Sequence, residues 1–292
     1  MEQQCALTPT AAYLTAFVIA AAYVASLYLL PRRIRKLHRD DPRHIYGRFV
    51  AVAVSSIFAV VLYARVGDLR CLGVDGVVAA LGLRAVGAAA AAARAAACVA
   101  LLYLGTLAEM CALGGFTMRG FGAREWRNLV VGPLSEELCF RACVLPLLVE
   151  TGIGRWWAVW TSPLVFGLAH VHHAHRRIAD DGISLKHAMF ETTFQFTYTT
   201  LFGAFAAYAF CRTHRLSAPV AAHMLCNYLG LPGFECFTGP VPAGMQMDPD
   251  QRRRRAVFYD YRAIFITLHV AGVYLFFTRS GSLLPVEGAL WP

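Results

Sequence analysis

Charged residues are scarce in this chain, at 15% of its 292 residues, whereas a soluble domain has about a quarter. Hydrophobic residues make up 58%, and the mean hydropathy is +0.50. This balance excludes an ordinary soluble protein and indicates a polytopic membrane protein. We therefore expect a single integral membrane domain over residues 1–292 rather than two soluble domains.

Acidic residues are fewer than basic ones, which gives the chain a net charge of +9. Basic chains include nucleic-acid-binding proteins, but here the basic residues stand in short clusters between apolar runs. Such clusters set the orientation of a protein in a bilayer, so no nucleic-acid partner is expected. The main clusters lie within residues 32–43, 119–127, 176–177 and 252–255.

Paired cysteines and internal repeats are absent from the sequence. The nine cysteines include no Cys-x-x-Cys pair, so neither a disulfide framework nor a cysteine-rich zinc site is indicated. Without a repeat, an inverted-repeat transporter gains no support. The first apolar run is about 20 residues long and follows an acid without a base, so we expect a retained span rather than a cleaved signal peptide.

Long apolar windows divide the chain into about eight predicted transmembrane helices. The loops between them alternate between basic and less basic, as a protein with eight spans and both termini outside the cytosol requires. The seventh window is short, and the third contains Arg94 within an alanine-rich stretch. We therefore predict an all-α membrane protein with windows at 11–30, 47–66, 85–110, 128–149, 155–172, 187–211, 217–231 and 262–278.

Two adjacent carboxylates and an arginine lie inside the fourth window, where ionisable side chains are costly and usually functional. Glu137 and Arg141 are four residues apart with the acid first, the favourable order for an ion pair within one helix. Glu136 lies about 100° around the helix from Glu137, so it remains free to face another group. A partly desolvated carboxylate can act as a general base, and a structural polar cluster between helices is the alternative.

Histidines and an asparagine mark two further windows. His170 ends the fifth window, and three more histidines run into the loop behind it, where a solvated tract is the simplest interpretation. His223 and Asn227 are four residues apart and share one helix face. Together they can donate two hydrogen bonds to one oxygen, as an oxyanion hole requires, and polar contacts between helices are an equal alternative.

Four of these polar residues are predicted to lie at similar depths. With the predicted topology, all four lie roughly 3–12 Å below the cytosolic face, at 1.5 Å per helical residue. A water-accessible cavity that opens to the cytosol would bring them together. The four residues are Glu136, His170, His223 and Asn227.

The ordered motifs resemble those of the type II CAAX prenyl endopeptidases, within the wider family of membrane proteases and bacteriocin self-immunity proteins. That family's pattern is Glu-Glu-x-x-x-Arg, then Phe-x-x-x-His, then His-x-x-x-Asn. The resemblance covers roughly residues 30–235, with the motif-bearing core at about 120–235, and the stretches 39–42, 169–173 and 226–232 are similar to the eukaryotic branch. The pattern is met by Glu136, Glu137, Arg141, Phe166, His170, His223 and Asn227.

The resemblance implies an integral endoplasmic-reticulum protease whose active site faces the cytosol. Such enzymes remove the last three residues from prenylated Cys-a-a-X proteins, Ras-like small GTPases among them. The family is regarded as glutamic intramembrane proteases, so no metal or other cofactor is expected. By position, Glu136 with His170 would activate the attacking water.

The remaining motif residues take roles from the same resemblance. His223 with Asn227 would stabilise the oxyanion, and Glu137 with Arg141 would form a supporting pair. The expected partners are the prenylated substrate proteins and membrane lipid. The aromatic stretch between residues 190 and 210 is interpreted as helix packing or lipid exposure in preference to prenyl contact. The arginines at 252–255 are interpreted as topology determinants near anionic lipid.

Two rival functions use the same sequence features. One is a zinc metalloprotease with Glu136, His170 and His223 as ligands, because two histidines and a glutamate form a recognised catalytic zinc site. The usual His-Glu-x-x-His signature is absent from the chain. The other rival is a non-enzymatic membrane scaffold, against which the complete motif set argues.

Overall fold

The computed structural model describes residues 7–67, 73–114, 120–168, 184–232, 236, 247–287 and 290, with the backbone alone at 166–168. Every regular element within these ranges is helical. The predicted all-α class is therefore confirmed for the part of the chain that the structure describes.

Six helices lie within the described residues up to position 114. The two longest begin at a proline that directly follows a capping side chain, because Thr8 accepts from the Ala11 amide and Asp41 accepts from the Arg43 amide. The six are α1 (Pro9–Tyr28), α2 (Arg32–Arg35), α3 (Pro42–Val66), α4 (Gly73–Ala80), α5 (Ala88–Leu102) and α6 (Leu104–Ala112).

The fourth predicted window folds as one continuous helix, α7, whose hydrogen bonding twice changes to the wider π pattern. Pro133 and Pro146 each stand in the turn after a π segment. A proline ring crowds the carbonyl four residues before it, and a widened turn there relieves the crowding. The segments are Ala123–Glu125, Trp126–Val131 (π), Gly132–Glu137, Leu138–Val144 (π) and Leu145–Glu150.

Five further helices follow α7 in the described part of the chain. A serine at position 184 caps the longest of them through the amide of His187. The five are α8 (Arg155–Leu168), α9 (Leu185–Thr213), α10 (Ser217–Leu229), α11 (Pro249–Asp260) and α12 (Arg262–Leu283).

Three described helices, α1, α3 and α12, are long and apolar enough to cross a membrane. The pair α5 and α6 would make a fourth if it is one span, but it bends by 75° at Tyr103, inside the window predicted as a single helix. Close packing of α12 accompanies the bend. Gly272 lies so near the Leu101 carbonyl that an added Cβ would be 2.5 Å from that oxygen, and a Cβ at Gly105 would overlap the His269 ring.

Helix α7 lies at the centre of the packing, in contact with α1, α3, α8 and α10. All side chains from 139 to 148 are buried. Lipid tails are as apolar as leucine, so close packing rather than the hydrophobic effect stabilises such contacts in a bilayer. Around α7, helix α10 packs on α5, α9 packs on α8, and α12 packs on both α5 and α6.

Gly203 allows α9 to approach this centre. A Cβ at Gly203 would lie 2.7 Å from the Cβ of Pro163 and 3.0 Å from Nη2 of Arg141. The proline ring belongs to α8 and the guanidinium to α7, so three helices meet at one glycine. The close approach of α7, α8 and α9 therefore requires a glycine at position 203.

We expect Gly203→Ala to destabilise the protein by about 1–3 kcal/mol, because the added methyl group must displace Pro163 or Arg141. Thermal unfolding of the purified protein in detergent measures the effect. The matched control is Gly281→Ala on α12, where the nearest atom to the added Cβ is the Tyr208 hydroxyl at 3.7 Å. Equal unfolding temperatures for the two variants would contradict the expectation.

Candidate active site

A buried carboxylate on α7 joins two helices. Oε1 of Glu137 accepts a hydrogen bond from Nη1 of Arg141 at 3.1 Å, and it lies 2.7 Å from Nδ1 of His223 on α10. Glu137 is 0% exposed and Arg141 is 1% exposed. The ion pair predicted from the four-residue spacing is formed. The bond from Glu137 to His223 was not predicted, because the two residues are 86 positions apart.

Glu136 points away from this buried pair. Its side chain keeps 24% of its surface exposed, and Oε2 lies 3.9 Å from Nε2 of His223. One imidazole therefore has a carboxylate at each ring nitrogen, with Glu137 in bonding contact and Glu136 at longer range. This arrangement fixes the orientation of the ring, because the Nδ1 atom is held by the buried carboxylate.

Asn227 lies one turn beyond His223 on α10, and both side chains line the same cavity. Nδ2 of Asn227 donates to the backbone carbonyl of Asn128 at 2.8 Å. This bond ties α10 to the first π segment of α7 and leaves the second amide hydrogen of Asn227 for another acceptor. Asn128 was not predicted from the sequence, because it accepts this bond through its backbone carbonyl and any residue type could do so.

His170 and the three histidines after it lie outside the described residues, and so do all side-chain contacts of Phe166. Their predicted places therefore stay predictions. Of the three proposed zinc ligands, the structure brings together Glu136 and His223, which lie close enough to bind a common ion.

A cavity of about 1230 Å³ opens beside Glu136 and His223. It exceeds the roughly 300–1,000 Å³ of a typical ligand pocket, so it has room for a long apolar chain together with a peptide. The aromatic stretch on α9 contributes to its wall, and the ring of Phe202 lies 4.9 Å from the His223 ring. Phe190, in contrast, is 71% exposed, so the stretch combines cavity lining with outward-facing rings.

A second cluster of ligand-type side chains lies apart from the motif residues. Donor atoms of Glu109, Cys236 and His269 all lie within 4.8 Å of one another, and His269 Nε2 is 3.1 Å from Glu109 Oε1. A carboxylate, a thiolate and an imidazole form a donor set suited to zinc. Glu109 and His269 each lie in a predicted apolar window, where an ionisable residue is unusual and could have been noted from the sequence. Their contact joins residues 160 positions apart and was not predicted.

Comparison with known proteins points to one family. A family model described as "Type II CAAX prenyl endopeptidase Rce1-like" matches residues 123–229. "Probable CAAX prenyl protease 2" of Schizosaccharomyces pombe is 32% identical over 234 residues, covering 75% of this chain and 81% of that protein. "CAAX prenyl protease 2" of Homo sapiens is 35% identical over 233 residues, covering 73% and 69%. The protein of the same name from Arabidopsis thaliana is 42% identical over 107 residues, covering 37% and 34%.

No solved structure matches the chain. The matched segment 123–229 begins at the start of α7 and ends at the last residue of α10. It therefore contains both helices that meet at Glu137.

We expect Arg141→Met to reduce the free energy of unfolding by about 3–5 kcal/mol, because it leaves the buried Glu137 carboxylate without its guanidinium partner. Chemical or thermal unfolding in detergent measures the loss. The control is Arg94→Met, which breaks the ion pair with Glu287 at a partly exposed site and should cost no more than about 1 kcal/mol. Similar losses in the two variants would show that burial of the first pair has no energetic consequence.

Proposed function

The chain belongs to the type II CAAX prenyl endopeptidase family, and we propose that it removes the C-terminal aaX tripeptide from prenylated CaaX proteins. The names of its relatives support this substrate class, within which Ras-like small GTPases are the expected members. The reaction is peptide hydrolysis, so water attacks the carbonyl carbon of the prenylated cysteine. The C–N bond then breaks, and a proton passes to the leaving amine.

The observation that carries the proposal is the position of Glu136 on the cavity wall, opposite Nε2 of His223. A carboxylate that reaches a water-accessible cavity from an apolar helix can take a proton from water as a general base. In our proposal Glu136 performs this step with His170, which makes the enzyme a glutamic protease. No metal ion or other cofactor takes part.

His223 and Asn227 are proposed to stabilise the oxyanion that forms when water attacks. Both side chains face the cavity, and the bond of Nδ1 to Glu137 leaves Nε2 of the imidazole directed towards it. Glu137 and Arg141 then act as positioning residues.

The same proposal covers location and topology. We propose a multi-pass protein of the endoplasmic-reticulum membrane, a single protease domain with eight spans and an active site that faces the cytosol. The alternation of basic loops along the sequence supports this orientation. Membrane lipid is then the second partner, beside the substrate.

We expect Glu136→Gln to reduce tripeptide release from a farnesylated CaaX peptide by about 10²–10⁴-fold, the usual contribution of a general base. Mass spectrometry of the released tripeptide measures the rate, with the unprenylated twin peptide as a substrate control. Glu150→Gln serves as the variant control, because that carboxylate lies at the far end of α7, outside the cavity lining. Wild-type activity in Glu136→Gln would contradict the catalytic proposal and favour a scaffold.

The zinc metalloprotease is the second candidate, favoured by the 3.9 Å approach of Glu136 and His223. Under our proposal, chelation leaves tripeptide release unchanged, and Glu136→Gln has the same metal content as the wild type. Elemental analysis of the purified protein measures that content. Stoichiometric zinc that is lost together with activity would overturn the glutamic mechanism.

The cluster of Glu109, Cys236 and His269 requires its own control in this measurement. Zinc bound there would be lost in Cys236→Ser and retained in Glu136→Gln. Cys98→Ser is the matched variant, since that cysteine is also buried and lies outside the cluster. The pattern of loss across the three variants therefore assigns any bound zinc to one position.

A further inference from the structure

Two neighbouring arginines, Arg39 and Arg127, line one end of the cavity. Arg127 lies in the first π segment of α7, the helix that carries Glu136. Nη2 of Arg127 donates to Oδ1 of Asp40 at 2.9 Å, and Nη1 donates to the Arg39 carbonyl at 2.8 Å. Arg127 therefore fixes the loop between α2 and α3 against α7.

This end of the cavity has more positive than negative charge. The positive charges of Arg124 and Arg127 both influence Arg39 and Asp40. Three guanidinium groups therefore lie near one carboxylate, that of Asp40. The hydrogen bond from Arg127 holds the pKa of Asp40 below its usual range. Partial removal from water, followed by the charge of Arg127, lowers the pKa of Arg39. The lowered pKa values of Asp40 and Arg39 both indicate a positively charged region in which a further anion would be stabilised.

Arg39 is the group that is available to such an anion. Within the ranges that the structure describes, its guanidinium makes no hydrogen bond or ion pair, whereas Arg127 is occupied by Asp40. A guanidinium presents several donors in one plane, which suits a carboxylate bound through two oxygens. The side chain lies on the cavity wall, so an anion inside the cavity can reach it.

The rise of α7 between Arg127 and Glu136 is close to the length of the leaving tripeptide. Glu136 is nine positions after Arg127 along α7, a rise of about 13 Å at the α-helical value and somewhat less through the π segment. Three extended residues span about 10–11 Å. A peptide whose scissile carbonyl lies at Glu136 can therefore place its terminal carboxylate near the arginines.

We propose that Arg39, held in place by Arg127, binds the terminal carboxylate of the substrate and thereby sets the cleavage point three residues from the end. The inference depends on the proposed endopeptidase function and adds a recognition site to it. Asn128 connects the two parts of the site, because it follows Arg127 directly and its carbonyl accepts from Asn227. Arg39 is a positioning residue in this scheme, since it binds the end of the peptide rather than the reacting atoms.

The test compares two farnesylated CaaX peptides, one ending in a free carboxylate and one in a carboxamide. For the wild type, kcat/KM should be about tenfold to a hundredfold higher for the acid, as the loss of a charge-assisted hydrogen bond implies. Arg39→Gln should lose this factor on the acid and change little on the amide. Arg39→Lys should keep part of the preference.

The matched control is Arg43→Gln, in the same part of the chain. Arg43 is exposed, pairs with Asp41 and lies outside the cavity lining, so this variant should keep the wild-type acid-to-amide ratio. A purely structural role for Arg39 would lower both rates together and leave the ratio unchanged. An unchanged ratio in Arg39→Gln, or a wild type without preference, would overturn the proposal.

A phospholipid headgroup is the other source of an anion at this place. The measurements are therefore made in vesicles of phosphatidylcholine alone and in vesicles with added phosphatidylserine. The preference should appear in both, and an effect of Arg39→Gln that appears with phosphatidylserine only, equally for both peptides, would assign the site to lipid and overturn the proposal.

A measurement of peptide binding tests this inference independently of the proposed function. In the Glu136→Gln background, a fluorescently labelled acid peptide should bind about tenfold more tightly than its amide, and Arg39→Gln should remove the difference. Absence of tripeptide release by the wild type would refute the proposed function, whereas equal binding of acid and amide would refute the anion site.

Discussion

One oxygen atom holds the centre of this structure together. Oε1 of Glu137 accepts from Arg141 within its own helix and contacts His223 on another. Glu137 and Arg141 are almost completely buried, where water cannot replace a lost partner, so the contact between them is costly to break. The spacing of α7 and α10 depends on this atom, and so does the orientation of the imidazole that faces the cavity.

Adjacent glutamates on α7 belong to two different environments. Glu137 faces the packed centre, where residues such as Cys143 and Leu147 are also removed from solvent, while Glu136 faces a cavity large enough for an apolar chain. A rotation of about 100° per residue is what separates the two. The helix is therefore both the wall of the cavity and the link between that wall and the core, which lets a rigid interior position a solvent-accessible carboxylate.

Features that depend on neighbouring positions were predictable from the sequence. Each apolar window contains a helix, and the Glu137–Arg141 pair follows from helix periodicity. Features that depend on distant positions were not, since no local pattern indicates that His223 meets Glu137 or that Glu109 meets His269. The bend between α5 and α6 belongs to the second kind, because it accompanies the close approach of α12 rather than a proline in the bend. The sequence predicts eight apolar windows, but it does not establish that each one crosses the membrane. In the described residues, three single helices have the length and apolarity of a crossing segment.

The first π segment of α7 sets an angle as well as relieving a proline. In a regular α-helix, nine residues rotate the chain by about 900°, so Arg127 and Glu136 would point to opposite sides. Both nevertheless line the same cavity, and the wider turn between Trp126 and Val131 reduces the angle between them, because it advances the chain by less rotation per residue. The wider turn therefore brings the directions of the Arg127 and Glu136 side chains around α7 closer together. Loss of a single residue from it would return the segment to the regular α pattern and bring the Pro133 ring against the carbonyl that the wider turn avoids, while leaving every motif residue in the sequence.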